Sequence, residues 1–199
     1  YSLDPQLVPW LNLAAIIAAF TCSFWVARSF SGSTLAAGAT IWLAAASSHW
    51  FLDIRPHIFT LLGVGVLLVT REKRWAPYLW PPLMVVWVNL HGGYSFALGL
   101  IGLHVLIRTL EQSFAARRAV IPWGDWTSVG LCFVAVAVTP FGRGVIDYPL
   151  AYLNADSTFR QLIEWHPPRY WLDLRDFDGR FWLMAALTAA GAIFALRES

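Results

Sequence analysis

Long apolar segments separated by short polar connectors run through most of the chain. Seven such segments span residues 8–27, 33–52, 57–70, 78–90, 94–107, 126–138 and 181–196. A helix that crosses a bilayer needs about 20 residues, with a range of roughly 17–25. The first two segments reach that length. The third to fifth are shorter, and glycine or proline interrupts them, which is tolerated where helices line a protein-enclosed cavity. The pattern predicts an all-α, polytopic transmembrane bundle of about seven spans.

The segment from 141 to 180 has a different pattern, in which aromatic and charged residues are interleaved. We expect a long amphipathic loop whose short helices lie on the membrane surface. The predicted organisation therefore has three parts. Residues 1–140 contain the first six transmembrane helices, residues 141–180 form an extracytoplasmic loop, and residues 181–199 contain the last transmembrane helix and a cytoplasmic end.

Basic residues in the connectors predict the orientation of the bundle. Alternate connectors and the C-terminal end contain eight of them: Arg28, Arg71, Lys73, Arg74, Arg108, Arg117, Arg118 and Arg197. The short connectors on the other side contain only Arg55. Because short loops rich in Lys and Arg stay in the cytoplasm, the first set should be cytoplasmic. The N-terminus and the long loop should then lie outside, and we expect a multi-pass protein of the bacterial inner (plasma) membrane.

Composition agrees with a membrane protein and excludes one class of partner. Hydrophobic residues make up 58% of the chain and charged residues 13%, against about a quarter charged in an ordinary soluble domain. The net charge of +2 is too small to predict nucleic-acid binding. Cys22 and Cys132 both lie inside apolar segments, and we interpret them as small buried hydrophobes.

The first candidate site is the stretch FLDIRPHIF, in which Asp53, Arg55 and His57 alternate with apolar residues. Pro56 disfavours helical geometry at the residue before it, so a helix should end there. One interpretation is a polar turn with an Asp–Arg pair. The other is an anion-binding edge, because the planar guanidinium of Arg suits phosphate and the neighbouring Asp or His could orient it or transfer a proton.

The second candidate is WVNLHGGYSFALGL, where Asn89 and His91 precede Gly92 and Gly93. Glycine permits unusual backbone angles and lets a ligand approach the main chain. The helix that follows would present free N–H groups to an anion. The alternative is a tight hairpin in which Asn89 caps a helix and His91 faces water.

The third candidate follows the sixth segment. TPFGRGVIDYPL is succeeded by IEWHPP, which contains Glu164, Trp165 and His166. A carboxyl group beside aromatic rings can have a raised pKa and carry a proton, whereas the alternative is a surface helix that ends at these residues. The sequence contains no HExxH or CxxC motif, so no metal site is predicted.

RPHIFTLL, WVNLHGGYSFALGL, TPFGRGVIDYPL and IEWHPP resemble blocks of large bacterial membrane proteins. Those proteins are similar in layout to the GT-C class of integral-membrane glycosyltransferases. The resemblance implies an enzyme that takes a sugar from a polyprenyl-phosphate carrier at the extracytoplasmic face, usually with inversion. It implies that Arg55 holds the lipid phosphate together with His57 or His91, and that Asp53 or Glu164 is the catalytic carboxylate. The large loop that carries the key acidic residue of the class has no counterpart here, although Asp4 could be the end of one.

The expected catalytic residues are thus Asp53, Glu164 and His91. The expected substrate-binding residues are Arg55, His57, Asn89, Gly92, Gly93, Trp165 and His166. A divalent cation is left open as a cofactor, and the expected partners are membrane lipids and the polyprenyl-phosphate donor. Two alternatives remain: a non-catalytic membrane subunit or scaffold within a larger complex, and a transporter or flippase.

Overall fold

The computed structural model describes residues 6–48, 56–142, 144–151, 182–183 and 185–188. Within these ranges the regular structure is entirely helical: α1 (Leu7–Ser31), α2 (Thr34–Ser48), α3 (His57–Thr70), α4 (Ala76–Leu90), α5 (Tyr94–Ala116), α6 (Trp123–Val136) and α7 (Gly144–Ala151). Residues 182–183 and 185–188 are helical as well. The prediction of an all-α protein is confirmed for this part of the chain, while its arrangement across a membrane stays a prediction.

The helix boundaries follow the apolar segments closely, with one clear difference. Helix α3 begins and ends at the residues that bound the third segment. Helix α5 continues past residue 107 to Ala116, because no glycine or proline follows and the helix ends only where Arg117 adopts a left-handed backbone with φ of 51°. Helix α7 lies at the start of the predicted amphipathic loop. The rest of that loop and most of the last predicted span lie outside the described residues.

Helices α1 and α5 are long and apolar enough to cross a membrane. Few of their residues are buried. In the most apolar 18-residue stretch of each helix, 11% of the residues of α1 and 22% of those of α5 are buried. Large side chains on their surfaces include Trp10, Phe30 and Phe114, which are 70%, 73% and 79% exposed. An extensive exposed apolar surface is unfavourable in water and is typical of contact with lipid or with another protein.

Small residues allow α1 and α3 to pack closely. Asn12, Ala15 and Ala19 form one buried stripe along α1. A Cβ atom added at Gly65 of α3 would lie 2.7 Å from the Cβ of Cys22. Such contacts bring helix backbones together, which is the usual way apolar helices associate where lipid removes the hydrophobic driving force.

A hydrogen bond to a backbone carbonyl that a proline leaves without a helical partner connects α4 to α6. Pro81 lies inside α4 and has no N–H, so the carbonyl of Pro77 one turn earlier loses its helical partner. The Ser128 hydroxyl of α6 donates a hydrogen bond to that carbonyl. Buried side chains of α4, Met84 among them, belong to the same hydrophobic cluster as Cys132 of α6. The carbonyl that Pro81 leaves without a helical partner therefore connects α4 to α6.

We expect Ser128→Ala to lower the free energy of unfolding by about 1–3 kcal/mol, because it leaves the partly buried Pro77 carbonyl without a donor. Thr127→Ala is the matched control, since Thr127 is exposed on the same helix. Denaturant titration of the two variants in detergent measures the difference. Equal stability of the two variants would show that the Ser128 bond contributes nothing.

Polar contacts between helices define two ends of the bundle. At the His91 end, the start of α3 contacts the end of α4 through Thr60 and His91, and Asn89 donates to the Val138 carbonyl just after α6. At the Arg108 end, Arg108 of α5 pairs with Asp125 at the start of α6. Since the helices alternate in direction, these two ends lie at opposite limits of the bundle.

Candidate functional site

A cavity of about 410 Å³ opens at the His91 end. Its volume falls in the range of roughly 300–1,000 Å³ that small-molecule sites occupy. Residues from three distant stretches line it: Pro56 before α3; Val88, Asn89, Leu90, His91, Gly92 and Tyr94 around the α4–α5 connection; and Phe141, Gly144 and Val145 before and within α7. The cavity therefore joins parts of all three candidate stretches.

The His91 ring is held by two hydrogen bonds to the same nitrogen. The backbone N–H of Gly93 donates to Nδ1 of His91 at 3.1 Å, so Nδ1 is an acceptor and the proton of the neutral ring lies on Nε2. The Thr60 hydroxyl lies 2.7 Å from the same Nδ1 and donates to it. Trp87 completes the chain, because its indole N–H donates to Thr60 Oγ1 at 3.2 Å. A directed sequence of donors thus runs from Trp87 through Thr60 to His91.

Gly93 is required by close packing and not by an unusual backbone angle. Its φ is −68°, which any residue adopts. A Cβ atom at this position, however, would collide with Oγ1, Cγ2 and Cβ of Thr60. The expectation that this glycine supplies conformational freedom is wrong, and the physical reason for glycine is the approach of Thr60 to the α4–α5 connection.

Asn89 fixes the relative position of two helix ends. Its Nδ2 donates to the Val85 carbonyl at 2.8 Å and to the Val138 carbonyl at 2.9 Å. Across the cavity, the Tyr94 hydroxyl donates to the Val145 carbonyl of α7. These bonds tie α4 to the segment just after α6, and the start of α5 to α7, around the cavity wall. Neither Asn89 nor Tyr94 needs a ligand to explain its hydrogen bonds.

The surroundings of His91 favour its neutral form. Burial is the larger cause of its lowered pKa, and the charge of nearby His57 is the smaller one. Protonation would also place a hydrogen on Nδ1, where it would face the Gly93 N–H. At neutral pH the ring is therefore an uncharged donor through Nε2.

This lowered pKa predicts a pH dependence of stability. The unfolded chain binds a proton to His91 near its ordinary pKa of 6.5, whereas the folded protein binds it only at lower pH. The free energy of unfolding should therefore fall as the pH drops below about 6.5. Denaturant titrations between about pH 5 and 7 should show this slope reduced in His91→Gln and partly retained in His57→Gln. Parallel profiles for wild type and His91→Gln would contradict the assignment.

The structure brings together only part of the predicted site. His57, Asn89, His91, Gly92 and Gly93 lie at one end of the bundle, and His57 is close enough to His91 to influence its pKa. The remaining predicted residues lie outside the described residues: Asp53, Arg55, Glu164, Trp165 and His166. Sequence reasoning missed Thr60 and Trp87, which position His91. The available signal was their location within one helical turn of a predicted polar residue in the same helix, since Thr60 is near His57 and Trp87 is near Asn89.

No metal-binding group can be assigned in the part of the chain that the structure describes, where no three His, Cys, Asp or Glu side chains cluster. Comparison with protein-family models, curated proteins and solved structures finds no match to this chain.

Proposed function

We propose that this chain is a GT-C-like integral-membrane glycosyltransferase, or the membrane core of one, which uses a lipid-phosphate-linked sugar at the extracytoplasmic face. In this proposal the cavity at the His91 end accepts the phosphorylated headgroup and sugar of a polyprenyl-phosphate donor. Arg55 holds the phosphate, and Asp53 or Glu164 removes the proton of the acceptor. The acceptor oxygen then attacks the anomeric carbon, and the bond from that carbon to the phosphate oxygen breaks.

The observation that carries this proposal is the cavity itself. Its walls come from the regions before α3, between α4 and α5, and around the start of α7. Pro56, which lines the cavity, follows Arg55 directly in the sequence, so the proposed phosphate-binding residue is covalently adjacent to the cavity wall. Its position at the helix ends also favours an enzyme over a transporter, because transporter sites usually lie near the middle of the membrane.

His91 supports phosphate binding better than proton abstraction. Because Nδ1 already accepts from Gly93 and Thr60, Nε2 is the ring nitrogen left for a ligand, and it carries a proton. A protonated Nε2 donates a hydrogen bond to a phosphate oxygen but cannot act as a base. We therefore propose His91 as a donor to the leaving phosphate, and the base as one of the two carboxylates.

Membrane placement, on which the lipid donor depends, is supported by the surface of the helices. Leu35 and Trp42 of α2 are 85% and 73% exposed, and Tyr78 of α4 is 82% exposed. Two helices also have the length of a membrane span. The bacterial inner membrane and the outward orientation of the His91 end follow from the charge bias in the connectors and remain part of the proposal.

The proposal is tested by photo-crosslinking the protein, reconstituted in proteoliposomes, with a photoreactive polyprenyl-phosphate sugar. We expect saturable labelling that peptide mapping places in the α4–α5 connection, and competition by unlabelled donor but not by a nucleotide sugar. Sugar transfer from the same donor to the acceptors present in a bacterial membrane extract is measured in parallel. Saturable labelling without transfer would favour the non-catalytic subunit, and absence of both would reject the enzyme and its donor.

Gly92→Leu should weaken donor labelling at least about tenfold, because Gly92 lines the cavity and a leucine side chain there would take space from the ligand. Gly124→Leu is the matched control, since a Cβ at Gly124 in α6 meets no atom within 4 Å. Labelling is compared at equal amounts of inserted protein. Unchanged labelling of Gly92→Leu would show that the donor does not occupy this cavity.

A further inference from the structure

A second cavity lies at the Arg108 end, opposite the proposed sugar site. An apolar chamber of about 180 Å³ is lined by Leu67, Leu68, Arg71, Trp80, Leu100, Ile101, Leu103, His104 and Ile107. A polar chamber of about 300 Å³ is lined by Arg71, Glu72, His104, Ile107, Arg108, Glu111 and Gln112. The two chambers share Arg71, His104 and Ile107, so they form one amphipathic cleft between α3, α4 and α5.

Two residues that line the apolar chamber have buried polar atoms without a partner in the part of the chain that the structure describes. The side chain of Trp80 is 1% exposed, and its Nε1 has no hydrogen-bond acceptor among the residues that the structure describes. His104 Nε2 is also buried without a hydrogen-bond partner among the described residues. The rings of Trp80 and His104 meet edge to face, with centroids 5.9 Å apart. A buried polar group without a partner costs about 1–3 kcal/mol, so a small rotation of either ring that brings its N–H to a ligand oxygen in this chamber would be favourable.

The charges of the polar chamber are balanced, and most of them are already paired. Arg71 contacts Glu72 at 3.1 Å, and Arg108 lies 3.0 Å from Asp125 in an ion pair that lacks hydrogen-bond alignment. Glu111 has no ion pair within the described ranges. Each guanidinium keeps N–H donors beyond its ion pair, so together with the Glu111 carboxylate the cleft complements a zwitterion better than an anion.

The outer wall of the cleft is apolar and open. Leu68, Leu103 and Ile107 line the apolar chamber and are 37%, 53% and 44% exposed. An acyl chain could therefore enter sideways from a surrounding bilayer, whereas a water-soluble ligand would gain nothing from this wall. The occupant should combine a hydrocarbon chain, oxygen atoms at the depth of His104, and a headgroup with both charges.

We propose that this cleft binds a glycerophospholipid with a primary ammonium headgroup, namely phosphatidylethanolamine. One acyl chain occupies the apolar chamber, and an ester carbonyl accepts from His104 Nε2 or Trp80 Nε1. The phosphate lies against Arg71 and Arg108, and the ammonium group donates to Glu111. This inference rests on membrane placement but not on sugar transfer, and it concerns the opposite end of the bundle.

The test is native mass spectrometry of the full chain in detergent, titrated with phosphatidylethanolamine, phosphatidylglycerol, phosphatidylcholine or soluble phosphoethanolamine. We expect phosphatidylethanolamine to bind at least about tenfold more tightly than each of the other three. Phosphatidylglycerol lacks the ammonium group, and phosphatidylcholine lacks its N–H donors. Equal affinity for all three lipids would show a nonspecific lipid coat, and equal binding of phosphoethanolamine would show a site for a soluble headgroup. Either result would overturn the proposal.

Glu111→Gln should reduce the affinity for phosphatidylethanolamine to that for phosphatidylcholine. Asp147→Asn makes the same charge change on α7 and should leave the affinity unchanged. Ile107→Trp, which fills the entrance shared by the chambers, should weaken binding of phosphatidylethanolamine at least about tenfold. Retained selectivity in Glu111→Gln would overturn the ammonium contact. Selective lipid binding without donor labelling at the His91 end would reject only the sugar-transfer proposal. Donor labelling without selective lipid binding would reject only the phosphatidylethanolamine site.

Discussion

Replacing His91 with alanine is expected to lower the rate of sugar transfer by about 100-fold. Loss of one preorganised donor to developing negative charge typically costs roughly 10²–10³ in kcat. His91 meets the structural requirement for such a donor, because the bonds from Thr60 and Gly93 to Nδ1 direct the ring and leave the proton on Nε2. Transfer assays in proteoliposomes, at saturating polyprenyl-phosphate sugar and equal protein, measure the effect.

Thr60 distinguishes a positioned His91 from a residue that merely lines the cavity. Thr60→Val keeps the shape but removes the hydroxyl that accepts from Trp87 and donates to His91. We expect kcat to fall about tenfold through misorientation of the ring, with a smaller change in KM. Thr60→Ser retains the hydroxyl and should restore activity. A Thr60→Val enzyme with full kcat, or a fully active His91→Ala enzyme, would remove the assigned role.

The second large effect is expected from Gly63→Ala. A Cβ atom at this position in α3 would overlap the six-membered ring of Trp87, and that side chain is 2% exposed in the core. Because neither the α3 backbone nor a buried indole can move freely, the added methyl group should lower the free energy of unfolding by about 1–3 kcal/mol. Denaturant titration in detergent gives the value directly.

Gly99→Ala provides a control with the opposite expected sign. Gly99 lies in α5, and a Cβ there meets no atom within 4 Å, so alanine should stabilise the helix by up to about 1 kcal/mol. Combining Gly63→Ala with Trp87→Phe should cost less than the sum of the single changes, because phenylalanine vacates part of the overlapping volume. Additive costs, or a neutral Gly63→Ala, would show that the α3–α4 contact is looser than the structure indicates.

The pattern of apolar segments predicted most helix boundaries because proline and charged residues limit where a helix can continue. Apolar segments bounded by Pro56 and by the basic cluster after residue 70 define α3 at both ends, since proline disfavours helix before it and charges disfavour burial. The length of α5 was underestimated because a helix can continue beyond its apolar segment when no residue breaks it. Residues 108–116 are such an extension, and hydropathy alone does not detect it.

The sequence predicted where the candidate site lies along the chain, but not which residues position His91. The polar residues at the helix junctions identified His91 and its neighbours, because such residues are costly beside long apolar runs. Thr60 and Trp87 were not predictable, since a threonine and a tryptophan inside apolar segments have no unusual local pattern. Their importance comes from the antiparallel contact of α3 with α4, which places them beside a residue about 30 positions away in sequence.

The sequence by itself determined the helical class, the principal helix boundaries and the junctions where polar chemistry gathers, because these depend on local hydropathy and on the backbone limits of proline. Only the tertiary structure decided which ring nitrogen of His91 carries the proton, why Gly93 must be glycine, and that Ser128 satisfies a carbonyl freed by Pro81. These features depend on atoms brought within about 3 Å by helix packing, and no local pattern encodes such distances.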